Sequence, residues 1–414
     1  GCHYMSTFSE TRPAHGFTHM GGEGVTWTGM APFTTTKHIF QNLGDGTYFH
    51  SGVLAIRQSI ASKVNITYKI LFNDAVAMTG GQPLDGSLSV PQLIQQLKGE
   101  GIQRIELVSN APHNHRGLAD AVVSVSHRDD LNTVQLSLRE TTGTSILIYE
   151  QTCATEMRRR RKRGVIKDVP DRVFINSAVC EGCGDCSVKS NCLAVVPKET
   201  ELGRKRQIDQ AACNKDYSCT NGFCPSFVTV SGGQLRKNKA ADSAVEFPAL
   251  PQPLFPTLDR PWNILATGVG GTGVLTVTSV LSMAAHLEGK GVATLNQTGL
   301  AQKFGPITGH LRIAKNQEDI HAVRIPAGDA DLLIGCDLIV SAMDDALAKL
   351  NVERSYAVIN ETLSPTAEFV KNPDAVFHDA AMKQSICDEL AEDRVSFLPA
   401  TEIASALLGD TIAT

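Results

Sequence analysis

Seven of the eleven cysteines fall in the 45 residues from Cys180 to Cys224. The first group reads Cys180-Glu-Gly-Cys183-Gly-Asp-Cys186, followed by Cys192. The second holds Cys213, Cys219 and Cys224, with Pro225 directly behind the last. C-x2-C-x2-C wraps three thiolates around one iron–sulfur cubane, and small residues between them let backbone amides reach the sulfurs. Where two cubanes share such a segment, the fourth ligand of each comes from the other run. That rule gives Cys180, Cys183, Cys186 and Cys224 to one [4Fe-4S] cluster and leaves Cys192, Cys213 and Cys219 for a second. In the second run Asp216 stands where a middle cysteine would stand. Carboxylate is a harder and weaker ligand for that iron. The second site is therefore expected either to use Asp216 or water at one iron, or to hold three irons. Zinc also takes C-x2-C pairs, but it has no need of three such cysteines plus a distant Cys-Pro. Cys2, Cys153, Cys336 and Cys387 lack ligand spacing and read as packed thiols.

A second constellation is oxygen-based. Gly44-Asp45-Gly46 precedes a helix-compatible stretch, and Asn73 follows 28 residues after Asp45, closing a strand-like run. A magnesium diphosphate needs a carboxylate, a neutral oxygen and further positions for phosphate oxygens. Glycines beside the aspartate let backbone approach the phosphates, and a following helix N-terminus favours their charge. This is the spacing of the thiamine diphosphate motif, with Asp45, the Asn73 oxygen and the Ala75 carbonyl as cation ligands. The second half reads Asn73-Asp74, not the common Asn-Asn. A surface turn would explain a lone Gly-Asp-Gly; the run Ala77-Met78-Thr79-Gly80-Gly81-Gln82 directly afterwards weighs against that.

The elements that must position these residues are readable in part. Residues 66–72, 104–109 and 145–149 are short apolar or β-branched runs that read as buried strands, with helix-compatible stretches at 53–62 and 90–99. Residues 158–163 are six consecutive basic residues. They read as a solvated linker, with nucleic acid or an acidic docking partner as alternatives. Residues 173–230 are weakly periodic, as expected of a segment held by its metal. Five prolines between 248 and 261 predict a stiff linker. Beyond it, 263–266, 337–341 and 356–359 read as strands and 274–287 as a helix. No internal repeat is evident. The loop Gly268-Val269-Gly270-Gly271-Thr272-Gly273 sits between strand and helix as a dinucleotide loop does, but no persuasive ribose-binding acid follows it.

The 414 residues suffice for two to four domains, and the net charge of −5 exerts no general pull on nucleic acid. No apolar run reaches the length of a membrane span, and the start carries no secretion signal. A cytoplasmic location is expected, and clustered thiols there argue for metal over disulfides. The chain opens on Gly1, which suggests an internal fragment of something longer.

Gly44-Asp45-Gly46-Thr47-Tyr48-Phe49-His50-Ser51-Gly52 and Asn73-Asp74-Ala75-Val76-Ala77-Met78-Thr79-Gly80-Gly81-Gln82 resemble the thiamine-binding domain of 2-oxoacid:ferredoxin oxidoreductases. The indolepyruvate type in its long fused form is the nearest likeness, since Gly21-Gly22-Glu23-Gly24-Val25-Thr26-Trp27, the arginine run and the cysteine segment follow its order. The resemblance implies an α/β multidomain chain. Its parts would be a thiamine diphosphate domain (1–153), a basic linker (154–172), a ferredoxin-like iron–sulfur segment (173–236), a proline-rich linker (237–261) and a truncated gamma-type domain (262–414).

It further implies oxidative decarboxylation of an aryl 2-oxoacid to acyl-CoA and CO2, with coenzyme A as co-substrate and electrons passing through the clusters to ferredoxin. A free-standing electron-transfer module, or an oxidoreductase for branched-chain or other 2-oxoacids, stays open. Gly44, Gly46 and Thr79 would line the diphosphate, and Asp45, Asn73 and Ala75 would hold Mg2+. His50 would face the reacting carbon or simply pack. Leu295-Asn296-Gln297-Thr298-Gly299-Leu300-Ala301-Gln302 fits the gamma-type domain, whose glycine loop would serve subunit packing and the coenzyme A side. A dimer is expected. The pyrimidine-binding domain with its activating glutamate is not found in this chain and would lie upstream, so the chain alone should bind thiamine poorly and not turn over.

Overall fold

The computed structural model describes residues 14, 18–76, 83–84, 86, 88–210, 212–233, 252–253, 255, 257–298, 305–364, 372 and 374–408. It divides into two compact units, Gly1–Asp168 and Val169–Thr414.

In chain order the first unit runs α1 (Val25–Met30), β1 (Ile39–Gly44), α2 (Val53–Ala61), β2 (Ile66–Phe72), α3 (Val90–Gly99), β3 (Ile105–Ser109), β4 (Val123–His127), α4 (Leu131–Arg139), β5 (Thr144–Glu150) and α5 (Ala154–Lys162). All strand pairs are parallel, in the order β1-β2-β5-β3-β4. A parallel strand covered on both faces becomes a continuous apolar run. Every residue of β3 is buried for this reason. Ile66, Tyr68, Ile70, Leu107 and Ile148 turn to one face and pack with Trp27, Ile56, Leu93 and Leu97 from α1 to α3. The alternate residues Val108 and Leu147 pack with Val134 and Leu138 of α4. Helix α3 buries Val90, Leu93, Ile94 and Leu97, spaced for one face, and opens on a capping box of Ser89 and Gln92. Gly24 caps α1 at φ 84°, where an added Cβ would collide with Tyr68 Oη.

The basic run is not a linker. It forms the body of α5, where Glu156 is buried and ion-pairs with Arg159 at 3.7 Å and Arg160 at 3.1 Å. Arginine is a good helix former, the pairs stand at i,i+3 and i,i+4, and cations in a last turn suit the helix dipole. A reading by charge alone discards these terms.

The second unit begins with β6 (Asp171–Ile175), α6 (Asp185–Ser190), β7 (Val195–Lys198), β8 (Lys205–Ile208) and β9 (Phe227–Ser231), pairing as two antiparallel ladders, β6 with β9 and β7 with β8. It continues with β10 (Trp262–Val269), α7 (Val274–Leu287), β11 (Gly291–Thr298), β12 (Pro306–Ala314), β13 (Leu332–Gly335), α8 (Leu338–Ser341), α9 (Asp344–Leu347), β14 (Tyr356–Asn360), α10 (Asp379–Glu389), β15 (Val395–Leu398) and α11 (Ala400–Leu408). These strands form one sheet, β11-β12-β10-β13-β14-β15, parallel from β10 to β15 and antiparallel at the β11–β12 edge. Most of the proline-rich stretch 237–261 lies outside the described residues.

One strand expectation fails. Residues 337–341 are helical: Asp337 sits at the N-cap with its side chain accepting the Val340 N–H, and α8 buries all four of its residues. Periodicity cannot separate a short buried helix from a short buried strand, and the capping aspartate was the available signal. The strand of that region is β13, which ends at Gly335, just ahead of Asp337. Among the described residues no helix is long and apolar enough to cross a membrane.

His310 on β12 is 1% exposed. Its Nδ1 accepts the Ile325 N–H at 3.2 Å, so Nε2–H is left to donate to Gln297 Oε1 at 3.3 Å. That pattern needs the neutral ring. Burial, with Lys349 and Arg324 adding to it, pushes its pKa down to about 4 from 6.5. Below pH 6.5 the unfolded chain takes up a proton that the folded chain refuses. Stability should therefore fall as pH drops from 6.5 to about 4, by about 3 kcal/mol in all. Urea unfolding of wild type and His310→Gln at pH 7 and 4.5 checks this. The variant should lose less over that interval, and equal losses would rule His310 out as the cause.

Candidate functional sites

The carboxyl ends of the parallel strands in an α/β sheet are where ligands bind. Asp45 stands at that end of β1 and Asn73 directly after β2, and the two strands are hydrogen-bonded neighbours. The Asp45 carboxylate is 7% exposed. Its Oδ1 accepts the Gly46 N–H at 2.9 Å, and its Oδ2 accepts the N–H groups of Asn73 at 3.0 Å and Asp74 at 2.9 Å. Burial pushes its pKa up against those three amides, which pull it down. Asn73 Oδ1 accepts the Ala75 N–H at 3.1 Å, which fixes its oxygen. The donor set suits a hard cation, with one carboxylate, one amide oxygen and Oδ1 lone-pair capacity to spare.

Gly44 precedes the helical turn Asp45–Thr47, and a Cβ on Gly46 would press Leu84 at 2.9 Å. Residues 48–52 then form a π-helical turn before α2, a distortion common at functional sites. His50 lies on it, exposed, with Nδ1 2.7 Å from Ser51 Oγ. A small pocket beside Asp45 is lined by Tyr48, Phe49, Phe72, Leu84 and Leu88 among others. Thr79 and the rest of 77–82 lie outside the described residues.

The same sheet edge carries a cluster that sequence reasoning passed over. Glu150, at the end of β5, is level with Phe72 of β2 and Ser109 of β3. Its Oε2 accepts from Ser109 Oγ at 2.6 Å and lies 2.7 Å from His115 Nε2. The available signal was Pro112-His113-Asn114-His115 straight after a buried strand.

The two cysteine runs have the same backbone. Gly182 and Gly184 have φ of 78° and 82°, and Lys215 and Tyr217, at the matching places of the second run, have 57° and 59°. The Gly182 N–H donates to Cys180 Sγ at 3.4 Å, and the Lys215 N–H to Cys213 Sγ at 3.3 Å. Each loop leads into a helical turn, capped by Gly184 and by Tyr217. Asp216 therefore occupies the place of Cys183. Cys192, Cys213, Asp216 and Cys219 line one small pocket. Burial, with Cys192, Cys213 and Asp216 nearby, pushes the Cys219 thiol up to about 12. Burial also raises Cys186, with Cys180 and Cys183 adding to it and Arg206 opposing.

Cys224 is exposed, its Sγ 3.0 Å from Ser226 Oγ, and is not among the neighbours that shift Cys186. Among the described residues no three His, Cys, Asp or Glu side chains are drawn together to metal-binding distance. The two amide-to-sulfur bonds are of the kind that tune cysteine-ligated iron–sulfur sites. Of the remaining cysteines, Cys336 is buried and Cys153 and Cys387 are half-buried; Cys2 lies outside the described residues.

In the second sheet the loop 268–273 turns through Gly271 at φ 111° and Gly273 at φ 97° into α7. Asp337, fully buried, accepts the Val269 N–H as well as that of Val340. This acid is used up in holding the loop, so it is not a ribose ligand.

Residues 263–414 match the family model for pyruvate ferredoxin/flavodoxin oxidoreductase. The indolepyruvate oxidoreductase subunit IorA of Pyrococcus horikoshii is 27% identical over 205 residues, 48% of this chain and 29% of that protein. Subunit IorB of Archaeoglobus fulgidus is 39% identical over 75 residues, 18% of this chain and 35% of that protein. These matches support a 2-oxoacid:ferredoxin oxidoreductase family member. The chain matches parts of two subunits that carry separate names in those archaea, although its matches span only about a third of each. The glycine loop and Asp337 fall inside the matched family region, whereas the Asp45 loop and both cysteine runs precede it. A solved pyruvate oxidoreductase subunit PORC from Thermotoga maritima aligns with 37% of this chain and 70% of that chain at 17% identity, with a TM-score of 0.26. That likeness is too slight to bear on fold or chemistry.

Proposed function

We propose that the chain is the diphosphate-binding and electron-carrying part of an enzyme that oxidises an aryl 2-oxoacid, of the indolepyruvate type, to acyl-CoA and CO2. The observation that carries this reading is the buried Asp45 carboxylate, held by three amides beside Asn73 at the carboxyl edge of a parallel sheet. When bound, thiamine diphosphate supplies the carbanion chemistry that releases CO2 and two electrons. Asp45, the Asn73 oxygen and the Ala75 carbonyl would hold a divalent cation, which would supply charge neutralisation for a diphosphate. The amides opening the helical stretch after Gly44 face its negative charge. His50 lies exposed near the cation loop, where it can exchange protons with solvent and substrate.

Cys180, Cys183, Cys186 and Cys224 hold one [4Fe-4S] cluster, and Cys192, Cys213, Cys219 and Asp216 hold the second in a ferredoxin-like segment. A cluster bound by these residues would supply one-electron transfer toward ferredoxin. The relatives, indolepyruvate oxidoreductase subunits, support indolepyruvate over branched-chain 2-oxoacids.

The test joins the chain to a pyrimidine-binding domain and supplies thiamine diphosphate, Mg2+ and coenzyme A. Viologen reduction is followed with indolepyruvate, phenylpyruvate and a branched-chain 2-oxoacid. Aryl substrates should be fastest. If none reduces the dye while the protein shows reduced-cluster EPR signals, the chain is an electron carrier alone.

A further inference from the structure

We infer that Arg160, in the basic run of α5, is a positioning residue for the cation loop, and that it is the partner for which this chain carries Asp74 after Asn73. The inference rests on the cation reading of Asp45 and Asn73 and deepens it.

Arg160 grips one residue from two sides. Its Nη1 donates to Asp74 Oδ2 at 2.9 Å and its Nη2 to the Asp74 carbonyl at 3.1 Å. Its Nε donates to Glu156 Oε1 at 3.1 Å, one turn back on the same helix. Glu156 is 4% exposed, so the guanidinium is anchored from below before it reaches the loop. A planar fork with fixed donors can satisfy all three acceptors, whereas a lysine ammonium on a flexible stem cannot present that geometry.

Asp74 needs such a grip. Its φ is 59°, in the left-handed region where residues other than glycine are uncommon. In that conformation its N–H, next to that of Asn73, donates to Asp45 Oδ2. The line of contacts therefore runs from Glu156 through Arg160 and Asp74 to the carboxylate proposed to bind the cation. An asparagine in place of Asp74 could hold the turn but not the charged pair. The ion pair also keeps the Asp74 carboxylate on Arg160 and away from the cation.

Releasing Arg160 has two opposed effects. The loop loses its clamp, which weakens cation binding. The Asp74 carboxylate is freed, which adds negative charge and strengthens it. That side chain is 59% exposed, so water screens its charge and the loss of positioning dominates.

The experiment titrates Mn2+ by EPR in the chain joined to a pyrimidine-binding domain, with thiamine diphosphate present, at a temperature where circular dichroism shows each variant folded. Arg160→Ala should weaken Mn2+ binding by roughly tenfold, the scale of an outer-shell loss. Arg160→Lys should recover part of it. Asp74→Asn should weaken binding, and adding it to Arg160→Ala should cost little more, because both act through one contact. Unchanged Mn2+ binding in Arg160→Ala, or additive losses in the double variant, would overturn the assignment. Asp45→Ala separates the two levels. Where it abolishes Mn2+ binding and Arg160→Ala does not weaken it, the inference alone falls. Where Asp45→Ala leaves Mn2+ binding intact, the cation reading falls and takes the inference with it.

Discussion

Asp45→Ala should weaken the Mg2+-dependent binding of thiamine diphosphate by on the order of a hundredfold or more, and should abolish 2-oxoacid-dependent dye reduction in the joined protein. An outer-shell change costs 10- to 100-fold in metal affinity, and a direct ligand sets the floor at the upper end of that range. The same change removes the acceptor of three backbone N–H groups. Each buried amide left without a partner costs about 1–3 kcal/mol, partly offset because the variant no longer buries a carboxylate, whose pKa burial raises. Asp45→Asn keeps the shape and one acceptor oxygen but removes the charge, and it places an NH2 against N–H donors. Isothermal titration with thiamine diphosphate and Mg2+ on variants checked for folding separates the contributions. Asp45→Asn should fold and still fail to bind. If it binds as wild type does, Asp45 is a structural acceptor for a tight turn and the enzyme reading loses its foundation.

Asp216→Cys should change what the second cysteine site holds. The two loops share their left-handed turns and their amide-to-sulfur bonds, and Asp216 takes the place that Cys183 has in the first. The cavity already gathers Cys192, Cys213 and Cys219. A fourth thiolate at a position with matching backbone completes a four-cysteine set without moving the chain. After reconstitution with iron and sulfide, the wild type should hold fewer than eight irons per chain, or show one cluster with the spectral signs of an oxygen ligand. The variant should take up two [4Fe-4S] clusters with overlapping EPR signals. Iron content and spectra identical to wild type would mean that Asp216 does not face the cluster. Cys219→Ser is the complement and should empty the second site while the first keeps its signal.

Much of the first sheet was legible because burial on both faces writes itself into the chain. Residues 66–72 and 90–99 form β2 and α3 with the bounds the periodicity gives, and Val274–Leu287 is likewise one helix. Residues 337–341 were misread because so short a buried run, Leu338 to Ser341, carries no period. The arginine run was misread because its charge was weighed without Glu156, which lies buried beneath it. The spacing shared by the cysteine runs was legible, but their shared backbone was not: glycine holds the left-handed turns in one loop, and Lys215 and Tyr217 hold them in the other.

The sequence by itself determined the chemistry on offer: seven thiols at cluster spacing, and an aspartate and an asparagine at diphosphate spacing. Those depend on residue type and local distance, which the chain states directly. Only the tertiary structure decided which groups share a site. Asp45 and Asn73 meet because β1 and β2 pair in parallel register. Ser109, His115 and Glu150 meet because β3 and β5 end level with each other. Asp74 owes its partner to a helix 86 residues away. Contacts of that kind are set by sheet order and packing, which spacing along the chain does not encode.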